Sequence, residues 1–207
     1  MITESILRTW VPWRIPLLLI GLMLALDFLG GAVVQHALAW DRQAIAAGQW
    51  WRLWTGHLVH LSHYHLLLNV AGLLVLGLLC PQPLPALVWL RRLLVLGLGV
   101  GIGLLWAVPS LRWYVGMSGV IHGLFVLGLA PQIRRGDGIA IVCGLYLVGK
   151  VGWELYAGAP LSDEAAIGGR VITEAHALGV LSALGYGLVF GSFRDAPETV
   201  HSAPRST

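Results

Sequence analysis

Six apolar stretches, each close to the length that crosses a bilayer, leave this chain few ways to fold. They run over 15–38, 64–80, 84–108, 115–133, 139–156 and 171–193. A spanning helix requires about 20 apolar residues, because the hydrocarbon core is about 30 Å thick and the helix rises about 1.5 Å per residue. Charged residues make up 11% of the chain, against about 25% in soluble domains. Lipid is therefore the main solvent, and backbone groups at that depth must be satisfied within helices. The expected fold is an all-α membrane protein, a six-helix bundle over residues 1–193 with a polar, disordered tail at 194–207. The first stretch is long and lacks a small-residue cleavage site, so it reads as a retained helix and not a signal peptide. Residues 39–63 are too polar to span, and rich in Trp and His; short amphipathic helices at the interface are expected there.

The cations set the orientation. Arg8, Arg14, Arg91, Arg92, Arg134, Arg135, Arg194 and Arg205 fall on one side of a six-span chain, and Arg42, Arg52, Arg112, Lys150 and Arg170 on or near the other. The richer side reads as cytoplasmic and holds both termini. The net charge of +3 does not imply nucleic acid, because no basic patch interleaved with aromatics accompanies it. The lipid bilayer is the expected surrounding, and the ten Trp residues read as interfacial anchors. Cys80 and Cys143 match no metal or redox spacing and read as free thiols. Nothing in the sequence sets an oligomeric state.

Polar residues inside apolar stretches are costly, so each is a functional candidate. Gly-Met-Ser-Gly at 116–119 opens the fourth stretch, and Ala-His-Ala-Leu-Gly at 175–179 lies early in the sixth. On the six-span topology both approach the outer leaflet. Glycines at 97, 99, 101 and 103, at 119, 123 and 128, and at 179 and 185 would let helices approach closely. Close packing of the fourth and sixth helices would bring Ser118 and His176 within reach of each other. A serine hydroxyl needs a base to become a nucleophile, and neutral imidazole suits that task near pH 7. Glu174, two residues before His176, points to another helical face, so the expectation is a Ser–His dyad without an acidic member. His65 and Asn69, four apart, share one helical face and could donate to an oxyanion, as could the Ser118 amide at a helix start.

Three motifs in order make a resemblance specific. Trp-Arg at 51–52 with Thr-Gly-His-Leu-Val-His-Leu-Ser-His-Tyr-His-Leu-Leu-Leu-Asn at 55–69, Gly-Met-Ser-Gly, and Ala-His-Ala-Leu-Gly together resemble rhomboid intramembrane serine proteases. The resemblance spans roughly 14–193 and implies a six-helix rhomboid-type bundle with a membrane-embedded first loop. It makes Ser118 the nucleophile, His176 the base, His65 and Asn69 oxyanion stabilisers, and Arg52 an organiser of the loop. Gly116 and Gly119 belong to the nucleophile motif, and His60 resembles a mainly structural loop histidine. No cofactor is implied. His57, His60 and His63 lack a carboxylate or cysteine at ligand spacing, so no metal site is expected.

The fourth helix departs from the commonest rhomboid pattern. His122 stands where many rhomboids carry an aromatic residue, and the extended motif resembles the rhombosortase subgroup of Gram-negative bacteria. That likeness implies an inner-membrane enzyme opening toward the periplasm. Its substrates would be membrane-anchored proteins whose C-terminal tail carries Gly-Gly, a transmembrane helix and a basic end. His122, four residues beyond Ser118, would stack near His176 or form an interhelical bond. Lys150 would snorkel outward, and Asp27 would pair locally or face the bundle. Two other functions stay open: a sortase-like transamidase passing the acyl group to an amine, and a non-catalytic escort of membrane helices.

Overall fold

The computed structural model describes residues 11–191. The tail at 194–207, Arg8, Arg194, Arg205 and the end of the sixth stretch lie outside the described residues. Six long helices occupy the six stretches. They are α1 (Arg14–Leu38), α4 (His63–Leu79), α5 (Ala86–Ala107), α6 (Ser118–Arg134), α7 (Gly138–Ala157) and α9 (Thr173–Phe190). Short helices α2 (Arg42–Ala46), α3 (Arg52–Thr55) and α8 (Glu164–Ile167) sit in the connections. By length and composition three segments are apolar enough to cross a membrane: Val11–Leu38, α5 and α7. A pair bent by 92°, Arg52–Leu58 with α4, adds a fourth if it counts as one span and not as a re-entrant loop. The chain is thus a mostly helical, multi-pass membrane protein.

Local chemistry sets the helix ends. Ser62 accepts from the His65 N–H at the start of α4, and Asp137 from the Ala140 N–H at the start of α7, each satisfying an amide that the first turn leaves open. In α1, Gly31 has non-helical angles (φ 51°, ψ −150°) and kinks the helix.

The segment before α4 is tied down by polar groups. β1 (Trp40–Asp41) pairs antiparallel with β2 (Trp113–Tyr114), the strand that leads into α6. Arg42 donates to the carbonyls of Leu104, Leu105, Val108 and Leu111 around the C-terminus of α5. Arg52 donates to the His36 and Ala39 carbonyls at 2.8 Å, holding the end of α1. Trp40 is fully buried, its indole N–H on the Gly101 carbonyl, and Trp89 is buried too, so these two Trp residues are not interfacial anchors. Arg91 and Arg92 also do more than mark topology: Arg91 donates to the Tyr186 hydroxyl and Arg92, buried, to Gln82. Asp27 pairs with His63 across α1 and α4.

Helix α6 is the central element. It packs against α9, α7, α4 and α5. Its contact with α9 depends on missing side chains. A Cβ at Gly119 would meet the Ala175 carbonyl oxygen at 2.6 Å, one at Gly123 the Gly179 carbonyl oxygen at 2.7 Å, and one at Gly179 would overlap the Gly119 carbonyl. The four alternating glycines of α5 divide by face: Gly97 and Gly101 admit Trp54 and Leu53 of α3, while Gly99 and Gly103 admit Ser182 and Leu178 of α9. With little hydrophobic drive between helices in lipid, such close backbone approach supplies the packing.

Candidate active site

The glycine contact of α6 with α9 fixes where their first turns meet. Ser118 opens α6 and His176 lies in the first turn of α9, with Ser118 Oγ 3.0 Å from His176 Nε2. Hydroxyl and imidazole are therefore within hydrogen-bond reach, the geometry a general base needs. His176 is buried, and its other nitrogen does not face empty space. Nδ1 lies 2.7 Å from Glu154 Oε2 on α7. The expected dyad without an acidic member does not describe this arrangement, because Glu154 completes a Ser–His–carboxylate line. Glu174, the acid nearest in sequence, makes no hydrogen bond to His176 among the described residues.

Lys150 does not snorkel outward. Its Nζ lies 2.7 Å from Glu154 Oε1 and 3.1 Å from His122 Nε2, inside the bundle. His122 turns Nδ1 to the Ser118 carbonyl at 2.7 Å. Its ring stacks on His176 with centroids 4.2 Å apart and planes 13° from parallel. The ring nitrogens of His122 and His176 and the Glu154 carboxylate lie within 4.8 Å of one another, a donor set of metal type. The Lys150 ammonium already reaches two of the three. Sequence reasoning missed Glu154, although the Lys150–Glu154 spacing of four carried a signal: two opposite charges on one face of an apolar helix must pair inward or leave the lipid.

The other side of Ser118 is built by α4 and the turn before α6. Gly116 has φ +119°, a conformation that side chains disfavour, and a Cβ there would lie 2.8 Å from His65 Nε2. His65 Nδ1 accepts the Leu61 N–H at 3.3 Å, which leaves the ring proton on Nε2, facing that turn. Asn69 spends one amide hydrogen on the His65 carbonyl at 2.9 Å, and its buried Oδ1 has no partner. Its second amide hydrogen remains available. The Ser118 amide belongs to the first turn of α6, which has no intrahelical acceptor. His57 supports the turn from below, with Nδ1 3.3 Å from the Gly116 carbonyl and Nε2 2.9 Å from that of Gly97. Tyr114 donates to the same Gly116 carbonyl at 2.7 Å.

His60 packs edge-on against His65, centroids 5.1 Å apart, and both of its ring nitrogens lack partners. Buried and without a hydrogen-bond partner, it is a packing ring. His57, His60 and His63 thus point to three different places: the Gly116 turn, His65 and Asp27. Arg52 holds the connection before α4 and does not reach Ser118 or His176.

A cavity of about 570 Å³ opens beside the nucleophile, between α4 and α7. Ser118, His176, His65, Asn69, His122 and Lys150 are among its lining residues, and most of the others are apolar. A second cleft, of about 40 Å³, is also lined by Ser118 and His65, together with Tyr114, Arg170 and Ile172. An apolar chamber that reaches a hydroxyl beside an imidazole suits attack on a carbonyl held out of bulk water.

Comparison with curated proteins gives no match. A family profile described as the rhomboid domain matches residues 47–193, which contain α3 through α9 and every residue of this site. The chain therefore belongs to the rhomboid family, in general a family of intramembrane serine proteases.

Proposed function

We propose that the chain is a serine endopeptidase that releases proteins from a C-terminal membrane anchor of the Gly-Gly type, as a rhombosortase in a Gram-negative inner membrane. In this reading the six long helices are six spans within residues 1–193, 39–63 forms the membrane-embedded first loop, both termini are cytoplasmic, and the site opens to the periplasm. The observation that carries the reading is the 3.0 Å approach of Ser118 Oγ to His176 Nε2 at the end of the cavity. Ser118 attacks the peptide carbonyl while His176 takes its proton and then returns it to the leaving amine. His65 Nε2–H, the Ser118 amide and the free amide hydrogen of Asn69 stabilise the oxyanion. Water then attacks the acyl-enzyme, with His176 again as base.

The small cleft supports a glycine at the cut. It is far smaller than the main cavity, about 40 Å³ against about 570 Å³, which favours a small side chain at the cut. Glycines also unwind the substrate helix, exposing an extended backbone to the nucleophile.

The test is cleavage in proteoliposomes of a reporter ending in Gly-Gly, an apolar helix and a basic tail, with the product mass measured. The reading predicts a product of simple hydrolytic mass, absent with Ser118→Ala. A product heavier by an amine acceptor would replace hydrolysis by transfer, and no cleavage by wild-type protein would reject the substrate assignment.

A further inference from the structure

The Ser118–His176 reading leaves two charged groups of α7 without a task, although both sit against it. Glu154 is 1% exposed, on a helix whose outer surface is apolar. A carboxylate there is tolerated only with a compensating charge and a full set of donors. It has both: the Lys150 ammonium on Oε1 and His176 Nδ1 on Oε2, each at 2.7 Å.

One assignment of protons, with both ions charged and both rings neutral, satisfies every contact. Lys150 is a donor only, so the His122 Nε2 that faces it at 3.1 Å must be the acceptor. The His122 proton then sits on Nδ1, where the Ser118 carbonyl receives it at 2.7 Å. His122 is a neutral ring, and it is the ring stacked on His176. The ionised Glu154 draws the His176 proton to Nδ1, which leaves Nε2 free to accept from Ser118 Oγ. With Lys150 and Glu154 charged and both rings neutral, this placement lets each group keep its partner.

Resting on the serine-protease reading above, we infer that Glu154 and Lys150 are positioning residues of this site. Glu154 holds His176 in the tautomer and orientation of a base, and Lys150 keeps Glu154 ionised and His122 neutral. When His176 takes the serine proton it becomes an imidazolium. Glu154 then stabilises it directly, and the neutral His122 beneath it adds no like charge. Lys150 does its work through Glu154 and His122, not on the substrate carbonyl. The site is thus a triad whose acid comes from α7, buttressed by its own counter-ion.

The alternative is that the pair only fastens α7 to α6 and α9. The two differ in rate, not in stability. The experiment measures the rate at which a fluorophosphonate labels Ser118 in detergent-solubilised protein, beside the melting temperature of each variant. Glu154→Gln should slow labelling on the order of 10²-fold or more, as loss of a triad carboxylate does. Lys150→Met should also slow it, and Lys150→Arg should retain most of the wild-type rate.

The deciding variant is the double Lys150→Met/Glu154→Gln, because it removes both charges and leaves no buried ion unpaired. It should melt near wild type yet label no faster than Glu154→Gln alone, since Lys150 acts through Glu154. A folded double variant that labels at the wild-type rate would overturn the inference. Labelling of wild type but not of Ser118→Ala on the same gel keeps that failure separate from failure of the serine itself. If the double variant does not fold, the folded single variants decide: Glu154→Gln or Lys150→Met at wild-type rate is equally fatal.

Discussion

Helices α6 and α7 lie side by side and solve opposite problems. In α6 nearly every residue of the first turns is buried, and the glycines Gly119, Gly123 and Gly128 share its buried surface with Val120, Ile121, Leu124 and Leu127. In α7 the large apolar residues face outward, with Ile139, Leu145 and Val148 each about 70% exposed, while its buried groups include Glu154. In water this would be inside-out. In lipid it follows from the solvent: apolar surface gains nothing from hiding, so small and polar groups gather where protein meets protein. The contrast has a catalytic use. Helix α6 supplies a rigid platform for the nucleophile, and α7 forms one wall of a cavity and brings charge to the base.

Substitutions can break the contrast. The largest effect is expected at the α6–α9 contact. Gly179→Val would drive a branched side chain into the Gly119 carbonyl, so folded protein and serine labelling should both be lost, as size-exclusion chromatography and labelling would reveal. Labelled, monodisperse Gly179→Val protein would show that close backbone approach does not set the site. A smaller effect is expected opposite the nucleophile. Asn69→Ala should lower the cleavage rate on the order of 10²-fold or less, because His65 and the Ser118 amide remain as donors. Unchanged cleavage would remove Asn69 from the oxyanion site. The smallest is expected on the outer side of α7. A Cβ at Gly149 meets nothing within 4 Å, so Gly149→Ala should change stability by no more than about 0.5 kcal/mol and leave cleavage intact. A clear loss there would mean that this side of α7 has a partner.

The same contrast decides what the sequence could reveal. Hydropathy located six long helices to within a few residues, because apolar runs of that length have few alternatives. Ser118, His176, His65 and Asn69 stood out because each interrupts an apolar run beside a glycine or a polar helix neighbour. The structure gathers all four around one cavity. Glu154 did not stand out and Lys150 was expected to snorkel outward, because the surrounding α7 sequence is that of a lipid-facing helix. Their direction depends on how α7 is rotated against α6, which packing sets and periodicity does not. Trp40, Arg91 and Arg92 misled for a related reason. Composition assigns such residues to interfaces, but each has an interior acceptor or partner that only the folded chain supplies.

The central claim is that His176 activates Ser118. Its most direct test needs no substrate: purified protein in detergent is treated with a fluorophosphonate, comparing wild type with Ser118→Ala and His176→Ala. The account predicts labelling of wild type and none of either variant, with all three proteins folded. Labelling of Ser118→Ala at the wild-type level would contradict it.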